Sequence, residues 1–268
     1  MSTDGQYVYA GGAFQHVNGV LQPWAAKVTT ATGALVPAFA PAISYPEFPD
    51  LTMVRSVAMS LDGNSVYIGG VFDLVNGQDH QSIVKVDATT GLPDGSWDPG
   101  MKKKVNKNTS QVYVVVPTSD KIFLCGDFYS VGGVATSNLA AVNPVGGHLV
   151  SNWINETDGA VNACAISGTK LYVGGHFDWV GGPNADIAHP NPGQPLTGVV
   201  RHHLAAFSLT PIGAPIGGET TLWQPDANSA AGVYSLLIVS NYIYAGGDFT
   251  KTGHYIDQQG YGQFPGAP

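Results

Sequence analysis

The chain has 268 residues, of which 44% are hydrophobic and 11% charged, and its formal net charge is −8 at pH 7. This acidic balance argues against a nucleic-acid-binding protein, which normally presents a basic face to the phosphates. No apolar run approaches the roughly 20 residues of a membrane-spanning helix, and no basic segment followed by an apolar one predicts a signal peptide in this chain.

One sequence unit recurs five times, as an apolar strand that runs into two small residues and then a phenylalanine. The five phenylalanines are Phe14, Phe72, Phe128, Phe177 and Phe249. Their spacings of 58, 56, 49 and 72 residues suit a four-stranded propeller blade with long loops and are too long for a solenoid coil. The sequence therefore predicts an all-β propeller of about five blades as a single domain, with repeats at about 1–50, 51–108, 109–157, 158–230 and 231–268.

Each complete repeat is predicted to contain four strands. The first is an alternating apolar run, and a tight turn such as Asp62-Gly63 joins it to the second, which ends in the small-residue pair. A third strand follows an Asn-Gly or Gly-Gly turn. A fourth is predicted around the aromatic residues Phe39, Trp97, Trp153 and Trp223. The first repeat lacks its first strand and the fifth stops after its third, so incomplete terminal blades and a segment of a longer array are expected.

The small-residue pair is Gly-Gly in four of the five repeats, although a strand glycine costs roughly 0.5–1 kcal/mol relative to alanine. We expect it to permit close approach between neighbouring blades, with the phenylalanine filling the layer between them. Cys125 is the one departure. It lies one repeat before Cys164, so a disulfide between blades is one alternative, and two buried free thiols is the interpretation we favour.

The whole pattern resembles the delta-60 repeat, a bacterial β-propeller repeat of about this period. The resemblance covers nearly the entire chain and is clearest in SVYIGGVFDLVNG at 65–77 and KLYVGGHFDWVGG at 170–182. It implies an extracellular or surface-associated propeller with no general enzymatic activity attached, and we expect an extracellular, cell-surface or virion location. Kelch repeats also end an apolar strand in Gly-Gly and are the second candidate family.

Residues that differ between repeats are the best candidates for recognition, above all the insertion at 183–201 in the fourth repeat, because loops on a rigid scaffold commonly bind ligands. The candidate ligand-binding residues are Trp179, Tyr129, His189, Asn191, Arg201 and His202. The two aromatic rings could stack on sugars, and packing between blades is the competing interpretation. Adjacent strand residues point to opposite faces, so His202 and His203 are not expected to share a metal ion.

Four acidic residues lie beside the phenylalanine motif. They are Asp73, Asp127, Asp178 and Asp248. We interpret them as acceptors of hydrogen bonds from turn amides. The alternative is that several of them line one rim and hold Ca²⁺ or sugar hydroxyls. No other cofactor is predicted.

The predicted innermost strands contain one charged residue, Arg55, and so offer no carboxylate pair for general acid–base catalysis. The sequence therefore favours a non-enzymatic interaction or display module of a surface, secreted or phage-particle assembly, binding protein or glycan through loops on one face. Two alternatives stay open. One is a glycan-directed hydrolase or lyase with acids from separate blades, and the other is a structural subunit of a larger assembly joined through its terminal blades.

Overall fold

The computed structural model describes residues 2–102, 110–181, 198–210, 223–228, 232–253, 256–257 and 260–266. This part of the chain is all-β, apart from one short 3-10 helix at Pro49–Leu51, and it holds no helix with the length and hydrophobicity needed to cross a bilayer. The chain divides into two compact units. The first comprises Met1–Phe123, Ser130–Gly133 and Val142–Leu149, and the second Leu124–Tyr129, Val134–Ala141 and Val150–Pro268.

Each repeat forms one three-stranded sheet, with the glycine-ended strand in the middle. The hairpin turns are those that the sequence predicts, and Gly5, Gly63 and Gly168 adopt positive φ there. The strands are Ser2–Thr3, Tyr7–Gly11 and Ala25–Thr29 in the first sheet; Met53–Met59, Ser65–Val71 and Ile83–Asp87 in the second; Gln111–Pro117, Ile122–Asp127 and Leu139–Val142 in the third; Val161–Ser167, Lys170–Gly175 and Leu204–Ser208 in the fourth; and Val233–Val239, Tyr242–Gly247 and Tyr261–Pro265 in the fifth.

A second, smaller sheet lies just after the phenylalanine of each repeat, and we call this side of the repeat the Phe end. In three repeats the segment that precedes the main sheet adds a third short strand to it. The small sheets are His16–Val17 with Val20–Leu21; Ile43–Ser44, Leu74–Val75 and Gln78–Asp79; Ser130–Val131 with Val134–Ala135; Glu156–Thr157, Trp179–Gly181 and Val199–Val200; and Ala227–Asn228, Lys251–Thr252 and Ile256–Asp257.

The prediction of a fourth strand around Phe39, Trp97 and Trp153 is wrong; in the fourth repeat Trp223 does not lie in a strand either, and residues 211–222 lie outside the described part of the chain. In the first three repeats the chain turns after the third strand and makes a single isolated bridge back to it, for example Val86 to Pro93. The backbone N–H of Trp97 then donates to the carbonyl of Asp94 (3.0 Å), three residues earlier. The chain therefore turns where a fourth strand would have continued. The expectation that the first repeat has no first strand is also wrong, because Ser2–Thr3 pairs with the second strand.

The first glycine of the pair permits close approach between sheets, as expected. A Cβ added at this position would lie closer than 3.0 Å to a valine methyl group on the first strand of the next sheet, a separation that real Cβ atoms do not show. The glycine and valine pairs are Gly11 with Val54, Gly69 with Val112, and Gly174 with Val233.

The second glycine has a different role, which corrects the expectation that both glycines serve contacts between sheets. A Cβ at Gly70 would meet the carbonyl oxygen of Met53 in the same sheet, and Gly175 has the same relation to Ala160. The first strand is bulged at this point, with a register shift between Val54 and Ser56. The second glycine thus accommodates a β-bulge, where the backbones of the two strands come unusually close.

Cys125 occupies the first-glycine position of the third repeat and is bonded to Cys164, with the two Cα atoms 6.6 Å apart. The favoured interpretation of two free thiols is therefore wrong. Cys164 occupies the position that Val57 holds in the second sheet, and a Cβ at Gly11 would also approach a methyl group of Val57. A side chain at the first-glycine position therefore points at this residue of the next sheet, which is the direction a disulfide requires.

The aromatic residue that follows the third strand joins its own sheet to the next one. In the three repeats where this residue is a tryptophan, its indole Nε1 donates to a backbone carbonyl at or just after the third strand of the following sheet. These bonds are Trp97 to Asn143 (3.0 Å), Trp153 to Ser208 (2.7 Å) and Trp223 to Pro265 (2.7 Å). Phe39 of the first repeat has no such donor, and there Tyr9 Oη and Lys27 Nζ both donate to Ala88 O at 2.9 Å.

Buried His80 leads to a prediction about pH. It is 5% exposed, and neither ring nitrogen has a hydrogen-bond partner among the described residues. Burial lowers its pKa, against an opposing effect of Asp98 and Asp79. An unfolded histidine binds a proton near pH 6.5, whereas native His80 binds one only at lower pH. Acidification below pH 6.5 therefore favours the unfolded state. The free energy of unfolding falls as the pH drops from 6.5 through the pKa of native His80.

Urea unfolding between pH 7.5 and 5 measures this effect. We expect the free energy of unfolding of the wild type to fall on acidification across this range, and His80→Gln to flatten the fall. His16→Gln removes an exposed histidine of the same compact unit and should leave the slope unchanged. Equal slopes for the wild type and His80→Gln would contradict the assignment.

Candidate functional site

A repeated backbone frame shapes the Phe end of every repeat. The residue just before each third strand has a φ in the left-handed region. These residues are Trp24, Ser82, Asn138, His203 and Gly260. In the fourth repeat, the N–H of His203 donates to Phe177 O (2.9 Å) and its carbonyl accepts from Gly175 N (3.0 Å). Four of the five are not glycine, although this conformation costs roughly 1–2 kcal/mol for such residues, so the frame holds them there.

In the fourth repeat this frame is extended by further hydrogen bonds around Asp178. Asp158 Oδ1 accepts from the backbone N–H groups of Asp178 and Trp179, both at 2.9 Å. The N–H of Arg201 donates to Asp178 O at 2.9 Å, and that of Ala227 donates to His202 O at 3.0 Å. The backbone on both sides of the site is therefore fixed.

The side chains of Asp178 and His202 meet on this frame. Asp178 Oδ1 and His202 Nδ1 are 2.8 Å apart, and the two side chains are 59% and 48% exposed. Half-buried Trp179 is the next residue after Asp178 and begins the strand that pairs with Val199–Val200. We call Asp178, His202 and the adjacent residue Trp179 the fourth-repeat site.

Two buried side chains, those of His203 and Arg201, flank His202 of the fourth-repeat site in the chain. His203 is 5% exposed, and its ring is nearly parallel to that of exposed His176 at a centroid distance of 6.3 Å. Arg201 is 6% exposed, and its Nη1 donates to Val200 O at 2.6 Å. Arg201 is thus placed to brace the strand that carries the site rather than to touch a ligand.

The fourth-repeat site can bind polar ligands through a carboxylate acceptor, an imidazole and an aromatic surface. Such a set suits hydroxyl-rich molecules, since carboxylate and imidazole accept or donate hydrogen bonds and an indole packs against apolar C–H surfaces. Within the described part of the chain, neither Asp178 nor His202 is hydrogen-bonded to a hydroxyl or thiol.

Three of the six predicted ligand-binding residues lie at the Phe end of the fourth repeat: Trp179 pairs with Val200, Arg201 donates to Val200 O, and His202 contacts Asp178. Tyr129 lies in the third repeat, at the position that Asp178 has in the fourth. His189 and Asn191 lie outside the described residues. His202 is exposed and His203 is buried, and both precede the third strand, which begins at Leu204.

The four acidic residues beside the motif do not occupy equivalent positions. Asp73 and Asp178 follow the phenylalanine, whereas Asp127 and Asp248 precede it. Asp248 Oδ1 accepts from the N–H of Gly232 (2.9 Å), which is the amide-acceptor role expected for it. Among the described residues, no group of three or more His, Cys, Asp or Glu side chains is arranged to hold a metal ion.

Sequence reasoning missed Asp158 and the pairing of Asp178 with His202. Asp158 lies in the link before the fourth sheet, and an aspartate beside a glycine is the available signal, because such residues commonly cap turn amides. The pairing of Asp178 with His202 could be inferred from sequence only by comparing the repeats. The position of His202 is Gln81 in the second repeat, so the acid and imidazole coincide in the fourth alone.

No protein-family model and no curated protein matches this sequence. Among solved structures, the chain is similar to the computationally designed Ika4 protein, known from a crystal structure, at 13% sequence identity. The match covers 80% of this chain and 91% of that chain, with a TM-score of 0.43. A similarity of this size transfers neither fold nor function.

Proposed function

We propose that this chain is a non-enzymatic β-propeller module, related to the delta-60 repeat, that binds glycan through the fourth-repeat site. The observation that carries the proposal is the exposed Asp178–His202 pair beside Trp179. The repeated glycine, valine and tryptophan contacts between successive sheets support a blade-like arrangement of the repeats. The residues shared by the repeats hold the scaffold together, so we assign ligand binding to the residues that differ between repeats.

We further propose an extracellular, cell-surface or virion location for the module. The disulfide supports this proposal, since such bonds persist in oxidising compartments and are uncommon in the cytosol. The low content of charged residues, 11%, is in keeping with the same location.

A glycan array followed by calorimetry on the full chain tests the proposal. We expect binding of a defined class of glycans, and at least about a tenfold loss of affinity, equivalent to about 1.4 kcal/mol, in Asp178→Asn or Trp179→Ala. Asp73→Asn is the matched control, because it makes the same change at the equivalent position of the second repeat. It should bind as the wild type does.

Two results would contradict the proposal. Silence on the array together with capture of a protein partner that depends on Asp178 would assign the site to protein binding instead. Turnover of a polysaccharide by the chain, abolished by Asp178→Asn, would assign it to a glycan-directed enzyme.

A further inference from the structure

One face of the fifth sheet is apolar and exposed. The side chains of alternate residues on its three strands point to this face, which we call the front face. Its exposed apolar members are Leu237 (62%), Val239 (48%), Tyr242 (46%) and Tyr261 (55%), and it also carries the exposed polar residues Ser235 and Gln263. The opposite side of the same sheet is buried, with Ile243 at 1%, Ala245 at 0% and Phe264 at 7%. The exposure is thus confined to one side of the sheet.

The equivalent positions in the other sheets are covered. Tyr261 pairs with Gly246, and the residues that pair with the first glycine elsewhere are buried: Ala25 at 0%, Ile83 at 1% and Leu204 at 0%. In the first, second and fourth sheets a valine of the following sheet packs on that glycine. At Gly246 the nearest atom to an added Cβ is Ser235 Oγ of the same sheet. The front face of the fifth sheet is therefore one half of the interface that joins sheets within the chain.

The first sheet carries the other half of this interface uncovered. Val8, Ala10 and Val28 are partly exposed. The residues at the Val8 position are fully buried in later sheets, with Val66 and Leu171 both at 0%. We call this side of the first sheet the back face. The first and fifth sheets thus present two complementary apolar surfaces, and an exposed patch of this kind commonly marks a protein interface.

We propose that copies of this chain associate head to tail, with the front face of the fifth sheet of one copy on the back face of the first sheet of the next. Continuity with the interface already present between sheets identifies the occupant, because a sheet of this same repeat is what covers that face elsewhere. The first strand of the first sheet, Ser2–Thr3, is short and does not reach the position of Val54. Among the described residues of the first sheet no valine is placed to fill the space at Gly246, so we expect the association to be weaker than the internal interfaces. The interface is heterologous, and it generates rings or open chains.

Analytical ultracentrifugation at roughly 1–200 μM, the range of weak specific complexes, tests the proposal. We expect the mass to rise above the 27.9 kDa of one chain with concentration. Leu237→Lys on the front face and Val8→Lys on the back face should each weaken self-association at least about tenfold, with Ala10→Lys as the alternative if Val8→Lys does not fold. Val145→Lys, at a residue that is 85% exposed and lies on neither face, should associate as the wild type does.

A mixing experiment makes the test specific for head-to-tail docking. Leu237→Lys keeps an intact back face and Val8→Lys an intact front face, so an equimolar mixture should form dimers and nothing larger. A mixture that stays monomeric would overturn the head-to-tail geometry. A wild type that is monomeric at all concentrations would overturn the proposal. If Leu237→Lys then melted at a lower temperature than the wild type, the front face would be covered by another part of the same chain. None of these measurements involves ligand binding, so their outcome is independent of whether the chain binds glycan as proposed above.

Discussion

Replacing Cys125 and Cys164 with alanine is expected to lower the free energy of unfolding by about 4 kcal/mol, as chain entropy predicts for a loop closed across a separation of 39 residues. Both cysteines belong to the second compact unit, so its transition in urea should shift. Reductant should destabilise the wild type and leave the double-alanine variant unchanged. A wild type that unfolds at the same urea concentration with and without reductant would contradict the expected contribution.

The repeat itself supplies a matched control for this experiment. Cys125→Gly with Cys164→Val removes the disulfide and restores the residue types found at these positions in the second repeat, Gly69 and Val57. We expect this variant to be about 1–2 kcal/mol more stable than the double-alanine variant, because buried valine methyl groups regain contacts. If the two variants are equally stable, the packing between sheets at this point does not follow the pattern of the other repeats.

Trp97→Ala is expected to destabilise the first compact unit by about 3–5 kcal/mol, the usual cost of deleting a large buried ring. Trp97 is 1% exposed and packs edge to face on Tyr67 at a centroid distance of 5.2 Å. Its indole N–H also donates to Asn143 O in the next repeat. Urea unfolding, followed by far-ultraviolet circular dichroism, measures the loss.

Trp97→Phe separates the ring from the hydrogen bond. Phenylalanine occupies this position naturally in the first repeat, where Phe39 packs against Tyr9 at 5.3 Å. We expect this variant to lose about 1–3 kcal/mol, since most of the ring is kept and the carbonyl of Asn143 loses a donor. A loss as large as that of Trp97→Ala would show that the N–H bond, and not the ring, carries the stabilisation.

Local patterns predicted the local structure well. The alternating apolar runs became strands, and turns such as Asp62-Gly63 and Asn76-Gly77 adopted the positive φ expected of them. The predicted fourth strand failed because its signal was a single aromatic residue followed by a proline, as in Trp97 with Pro99, in a segment that is otherwise polar. The backbone N–H of Trp97 is used within a turn and its indole bonds to another repeat, and neither partner is visible in a pattern of hydrophobicity.

The candidate site was predicted in part. The choice of the fourth repeat came from its insertion, and both Trp179 and His202 lie at its Phe end. The pairing of His202 with Asp178 spans 24 residues and depends on how the chain returns to the third strand, which the left-handed conformation of His203 sets.

The sequence by itself determined the five repeats, most of the main strands and turns within them, and a close approach of neighbouring sheets at the glycine pair. These features follow from residue size, hydrophobic period and permitted φ, which are properties of a short segment. The tertiary structure decided that Cys125 bonds to Cys164, that the tryptophans donate to the next sheet, and that Asp178 meets His202. Each of these contacts joins residues distant in sequence, and the direction of a side chain relative to a neighbouring sheet exists only once both sheets are in place.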